Sequence, residues 1–304
     1  MTRAPRPALA DLHRHLDGSL RPATVVELAA AAGVAVPADL PFRRGMGLEA
    51  ALARFRFTLS LLQQPAVVRR VAAEICADAA DEGVTTLEIR FAPQLHRGAP
   101  PEVIVDAALE GVAGRAGLVL CGLYGEPPEV LDGLVALAAC RPGVVGIDLA
   151  GGPMPGHSFR LADYAPAFRR AADLGLGRTV HAGEGRPPGE IREAVEELHA
   201  LRIGHGTTLL DDPRVVDVVL ARGVTIEVCA TSNEHVGAIP SVSSHPLPRW
   251  LAAGVRACVC TDNTLLSGVD APEEHRRVAA IPGMDAAGMA AVVAFGHAAA
   301  FRRG

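Results

Sequence analysis

Short runs rich in β-branched and aliphatic residues alternate along the chain with longer stretches in which apolar residues return every three or four positions. The runs at 9–15, 85–91, 118–123, 144–149, 178–181, 201–203, 224–229 and 256–261 predict strands. Between them, 66–82, 101–115, 128–140, 160–174, 188–200, 211–222 and 245–253 carry helical periodicity. Local punctuation supports these elements: Asp211-Asp212-Pro213 offers an N-cap and a first-turn proline, and Gly223 offers a stop. Strand–helix alternation predicts an α/β protein with parallel strands. Eight units of similar length with no Gly-rich first turn favour a closed (β/α)8 TIM-type barrel over a doubly wound sheet. Residues 16–64 are longer than one crossover needs, so a helical lid over the barrel mouth is expected. No linker or repeat divides the chain, and 1–304 reads as a single barrel domain.

Composition narrows the function. The 304 residues are 49% hydrophobic and 21% charged, which excludes disorder. A net charge of −5 and only 4% aromatic residues argue against nucleic-acid binding, which needs a basic stripe or stacking platforms. All 29 basic residues are arginine. That absence of lysine excludes Schiff-base chemistry, a phosphate-loop lysine and a metal pair bridged by a modified lysine. Cys76, Cys121, Cys140, Cys229, Cys258 and Cys260 lie in apolar runs without paired zinc-ribbon spacing. They read as small buried hydrophobes in a reducing compartment. The N-terminus lacks the apolar core of a secretory signal and no run approaches a membrane span, so a soluble cytoplasmic protein is expected.

The chemistry sits where the strands end. The first runs into His13-Arg14-His15, the fifth into His181-Ala182-Gly183-Glu184, the sixth into Gly204-His205-Gly206 and the eighth into Thr261-Asp262-Asn263. In a parallel barrel these ends converge on one face. His13 and His15 are two apart, so both imidazoles point to the same side of a strand. Together with His181 and Asp262 they form an N3O ligand set suited to Zn²⁺ or a similar first-row ion, with one position left for water. One histidine of the 11 would by itself signify little; the joint placement carries the expectation. Such an ion lowers the pKa of its water, and proton movement then needs further groups. Glu184, three residues past His181, and His205 are the candidates.

The segments HRHLDGS (13–19), GIDLAGG (146–152), TVHAGEG (179–185), RIGHGTTLLDDP (202–213), CATSN (229–233) and CTDN (260–263) resemble, in order and spacing, those of the adenosine/AMP deaminase branch of metal-dependent amidohydrolases. The likeness spans about residues 9–270. It implies one zinc ion per chain held by His13, His15, His181 and Asp262. It further implies that Glu184 donates a proton to purine N1, that His205 orients and activates the attacking hydroxide, and that Asp262 also accepts a proton. Gly151 would offer its N–H to N3, and Asp17 would accept a ribose hydroxyl. The implied reaction is hydrolytic deamination at C6 of adenosine or 2′-deoxyadenosine, a small-molecule purine nucleoside, with release of ammonia.

Two departures stand out. Asn263 replaces the family's usual second Asp, which must be protonated to donate to N7; an amide donates without any pKa shift. Gly152-Pro153 replaces the acidic pair that usually follows LAG. In the expected lid, Phe55, Phe57, Leu59, Leu61 and Leu62 could cover a nucleoside. Arg43, Arg44, Arg54 and Arg56 could face solvent or receive a carboxylate or phosphate. Adenine, an N6-substituted adenine and a 5′-modified adenosine such as aminodeoxyfutalosine are the alternative substrates.

Overall fold

The computed structural model describes residues 8–154 and 156–302; residues 1–7, which carry half of the N-terminal reading above, lie outside the described residues. Eight strands, β1 (Leu9–His15), β2 (Val84–Phe91), β3 (Gly117–Leu123), β4 (Val144–Ala150), β5 (Gly177–Ala182), β6 (Arg202–His205), β7 (Thr225–Val228) and β8 (Arg256–Val259), form one sheet in sequential order. Every neighbouring pair from β1·β2 to β7·β8 is parallel. The barrel closes between β1 and the segment that follows β8. There the His15 N–H donates to the Asp262 carbonyl at 2.7 Å, and the Asp262 N–H donates to the His13 carbonyl at 2.7 Å. Two expected metal ligands on one side and one on the other therefore form the seam.

Helices α1 (Pro22–Ala32), α2 (Leu48–Leu61) and α3 (Pro65–Glu82) separate β1 from β2. One helix then follows each strand in turn: α4 (Pro101–Val112), α5 (Pro128–Ala139), α6 (Ala165–Asp173), α7 (Gly189–Glu196) and α8 (Pro213–Arg222). After β7 come α9 (Ala230–Val236) and α10 (Leu247–Ala252), and after β8 come α11 (Thr264–Ser267), α12 (Ala271–Ala279) and α13 (Ala286–Ala299). Punctuation acts where expected at α8, whose Asp212 carboxylate accepts from the Arg214 N–H and whose Gly223 turns left-handed at φ 63°. The expected helix at 160–174 is split instead: Leu161–Tyr164 is a 3₁₀ turn, and Pro166 sits in the first turn of α6. The expected helix at 101–115 stops at Val112 because Ala113 enters the left-handed region. Strand β6 extends through His205, two residues past the expected end. Among the described residues no helix is long and apolar enough to cross a membrane.

Period-two alternation sorts the strand residues into two environments. Ile89, Ile147, Leu149, Val180, Ile203 and Ile226 are fully buried in an apolar cluster with helix residues such as Ile104, Val135 and Phe168. The intervening Glu88, Arg90, Asp148, Thr179, Arg202 and Glu227 are equally buried yet polar. They fill the lumen with ion pairs. Arg90 bonds Asp148 and Glu227, both at 2.9 Å, and Arg202 bonds Glu227 at 2.6 Å and also Glu88. Buried charges survive only when paired and hydrogen-bonded, and each of these is.

Candidate metal and catalytic site

Three imidazoles and one carboxylate meet at the upper end of this lumen. Nε2 of His15 lies 3.2 Å from Nε2 of His13 and 3.3 Å from Nε2 of His181. Oδ1 of Asp262 lies 3.5 Å from the His13 nitrogen and 3.4 Å from the His15 nitrogen. Two donors that share one ion at about 2.0–2.1 Å and subtend a near-tetrahedral angle stand about 3.3 Å apart. These four donor pairs show that spacing.

Hydrogen bonding on the far side of the rings explains why these nitrogens face each other. Nδ1 of His13 donates to Glu227 at 2.7 Å, and Nδ1 of His181 donates to Asp148 at 3.1 Å. With the hydrogen held on Nδ1, each Nε2 presents a bare lone pair. Lone pairs cannot bond one another; a shared cation resolves the conflict. Burial, reinforced by the Arg90 guanidinium, holds His13 well below the usual imidazole range. Burial does the same for His15, with His181 adding to it. Burial would lower His181 as well, but Asp148 outweighs it and raises the ring. The donor set therefore fits a divalent ion of the zinc type. A thiol competes for the same place: Cys229 Sγ lies within 4.8 Å of donor atoms of His13 and Asp262. Burial pushes that thiol well above its ordinary value.

Asp262 and His205 hold their side chains from left-handed backbone, at φ 62° and 70°. Non-glycine residues pay for that conformation, and it persists where surrounding structure over-determines it. For Asp262 the two seam hydrogen bonds do so. His205 and Glu184 converge beside the cage. Nδ1 of His205 lies 3.4 Å from Oε1 of Glu184, and both accept from Nδ2 of Asn233, at 3.0 and 3.3 Å. Burial lowers His205 to about 3, so it is neutral over the working range. Burial raises the Glu184 carboxyl, with Arg186 opposing it at 4.0 Å. Glu184 is only 7% exposed, which sets aside an outward-facing loop position.

A cavity of about 410 Å³ opens above these groups, lined by His15, Asp17, Gly151, Glu184, His205 and Asn263 among others. Asp17 Oδ1 and Asn263 Oδ1 are buried without a partner. Burial pushes the Asp17 carboxyl up to about 7. Gly151 has φ 80°, and a Cβ there would meet no atom within 4 Å. The α2 helix forms one wall through Leu48, Ala51, Leu52, Phe55, Arg56 and Leu59. Of the apolar residues expected to cover a ligand, Leu61 and Leu62 instead join the core. Of the arginines, Arg44 pairs with Glu234 at 3.0 Å and Arg54 with Asp39 at 2.6 Å, whereas Arg56 reaches the cavity.

Sequence reasoning missed Asp148, Glu227, Arg90, Arg202 and Asn233. The first four are charged residues within segments read as strands, and a charge in such a run needs a partner across the barrel; Asn233 lies beyond β7, on α9. That requirement was the available signal.

A model of the family described as adenosine deaminase matches residues 8–302. The chain is also 34% identical to the adenosine deaminase of Shewanella loihica over 293 residues, 89% of this chain and 87% of the relative. The chain belongs to the adenosine deaminase family. Solved structures of similar shape include deaminases of different named substrates. The adenine deaminase of Arthrobacter aurescens superimposes with a TM-score of 0.88 at 27% identity, covering 98% of this chain and 95% of the other. The Arabidopsis N6-mAMP deaminase does so with a TM-score of 0.87 at 26% identity, covering 97% and 94%. Adenosine deaminase family members are metal-dependent aminohydrolases, and His13, His15 and His181 bring donor atoms close enough together to be candidates for holding an ion.

Proposed function

We propose that this protein is a zinc-dependent aminohydrolase of adenosine-type nucleosides, with His13, His15, His181 and Asp262 as the ligands of one zinc ion. The single observation that carries the reading is the meeting of that cage with a buried, pKa-raised Glu184 under one cavity. When bound, zinc supplies a polarised water at neutral pH. Every other step belongs to the chain.

Purine C6 resists attack until N1 is protonated, so the acid must keep its proton near neutrality. Burial gives Glu184 that property, and it donates to N1. His205, with Nδ1 accepting from Asn233, carries its hydrogen on Nε2 and orients the attacking oxygen by donating to it. Asp262, raised by burial, receives the water's proton and passes it to the departing amine. The Gly151 N–H bonds N3, Asp17 accepts from a ribose hydroxyl, and the Asn263 amide donates to N7. In this reading residues 1–304 form one deaminase domain, with 16–64 as a lid whose Phe55 and Leu59 cover the nucleoside. Five buried thiols and Cys140, which is exposed rather than buried as expected, are all free among the described residues and favour a reducing cytoplasm.

A second reading keeps the chemistry and changes the substrate to adenine or an N6-substituted or 5′-modified adenosine. Asn263 favours keeping it in view, since base recognition there does not depend on a protonated Asp. Loss of purine ultraviolet absorbance with ammonia release, measured on adenosine, 2′-deoxyadenosine, adenine, N6-methyladenosine and a 5′-extended adenosine, separates the two. A highest kcat/KM on adenosine is expected; a highest value on adenine overturns the first reading.

A further inference from the structure

The ion pairs that orient His13 continue downward to the floor of the barrel, where the chain's last described segment closes the lumen. Gly146 and Gly177 are register partners on β4 and β5. A Cβ on Gly177 would lie 2.1 Å from the ring of Phe301, and one on Gly146 would lie 2.7 Å from it. The two glycines therefore make a slot that the ring fills. Above the ring, the Arg202 guanidinium carbon stands 3.5 Å from its centroid. Around it, the Phe301 N–H donates to Glu88 at 2.6 Å, and Arg202 donates to the Ala299 carbonyl at 2.9 Å. Arg202 then grips Glu227 at 2.6 Å, and Glu227 accepts from Nδ1 of His13 at 2.7 Å.

We infer that Phe301 is a positioning residue for the metal: it seals the lumen floor and fixes Arg202, and through Arg202 and Glu227 it fixes the ligand ring of His13. The inference rests on the reading that His13 is a zinc ligand. A flat aromatic face attracts a guanidinium more strongly as water is withdrawn from the contact, and here Arg202 is 1% exposed and Phe301 half-buried. With the ring gone, water reaches Arg202 and Glu88, the buried pairs are screened, and Glu227 is held less firmly. Partners behind a metal-ligating imidazole set its orientation and basicity, and their loss costs about 10–100-fold in metal affinity. Phe301 is one residue further removed, so an effect near the lower end is expected.

The test is the zinc dissociation constant, measured by competition with a chromophoric chelator, for the wild type, Phe301→Tyr, Phe301→Leu and Phe301→Ala. Tyr keeps the aromatic face and should bind zinc as the wild type does. Leu fills the slot without that face and should weaken zinc severalfold; Ala should weaken it about tenfold. In a Glu227→Gln background Phe301→Leu should add nothing further, because the link to His13 is already cut. KM for nucleoside and kcat at saturating zinc should stay within about twofold of the wild type. Should Phe301→Ala fail to fold, Phe301→Leu carries the test. A wild-type zinc constant in Phe301→Leu, with only a lowered Tm, overturns the inference and leaves the ring as packing. A wild type that binds no zinc instead refutes the underlying metal assignment.

Discussion

Oε2 of Glu227 accepts from Nδ1 of His13 at 2.7 Å and from Arg90 at 2.9 Å, so one carboxylate joins a metal-facing imidazole to the buried charges of the lumen. Its other oxygen accepts from Arg202 and from the Thr179 hydroxyl. Glu227→Gln keeps the shape but turns an NH₂ toward a donor on whichever side it occupies. Zinc affinity is expected to fall about 10–100-fold, with KM for nucleoside little changed. Chelator competition reads the first quantity and steady-state kinetics the second. An unaltered zinc constant would show that Glu227 serves stability alone.

In the proposed mechanism Glu184 sets the basic side of the pH response, while Asp17, pushed up to about 7, also ionises near neutrality. Burial raises its carboxyl above the ordinary carboxylate range, so the proton-donating form is present below that raised value and is lost as pH rises through it. His205, lowered to about 3, contributes no change across neutral pH. A basic limb in kcat/KM belongs to Glu184, and Glu184→Gln should lower the rate by about 10²–10⁴-fold, keep zinc, and flatten that limb. The same raised pKa makes the folded chain bind a proton more tightly than the unfolded one, so this group's contribution to stability falls as pH rises through the window. Wild-type turnover by the Gln variant would falsify the donor role.

Asn233 holds the two proposed catalytic side chains in one grip, bonding His205 Nδ1 at 3.0 Å and Glu184 Oε1 at 3.3 Å. Removing the amide frees the imidazole to change tautomer and leaves two buried groups short of a partner. Asn233→Ala should reduce kcat by about 10–100-fold while zinc stoichiometry stays at one and KM moves less. Elemental analysis with steady-state rates checks this; an equal loss in kcat and in bound zinc would point to general disruption instead.

The barrel and the convergence of its polar strand ends were legible because their signals repeat or cluster. Strand ends bearing His13, His15, His181, His205 and Asp262 stand out against apolar runs, and parallel topology brings such ends together. The polar lumen was harder to foresee. Asp148, Arg202 and Glu227 are each the lone acidic or basic charge of their strands, and Arg90 shares β2 with Glu88; such a charge does not reveal a partner on another strand until register is known. Asn233 was hidden for a different reason: it follows β7 on the short helix α9, and that helix lacks enough turns to show a period. Helix α13 went unread because its Ala-rich sequence has no polar face to mark its limits.

In the proposed site, Asn263 is the residue that meets the base at N7. It is 3% exposed and lines the cavity next in sequence to Asp262, with Oδ1 unpartnered. An amide donates to N7 at any pH, whereas Asp at the same place donates only when protonated. Asn263→Asp should therefore match the wild type at low pH and fall behind as pH rises through the new carboxyl's pKa, where ionisation removes the donor and sets a second negative charge beside Asp262. Losing one hydrogen bond to a neutral acceptor corresponds to about 0.5–1.5 kcal/mol, or roughly two- to tenfold in kcat/KM on adenosine. The control is 7-deazaadenosine, which has carbon at that ring position and gains nothing from a donor. Its rate relative to adenosine should be depressed for the wild type and should rise toward parity for the variant at high pH. A ratio that is the same in both proteins at every pH would remove Asn263 from base recognition and leave substrate choice to the α2 wall.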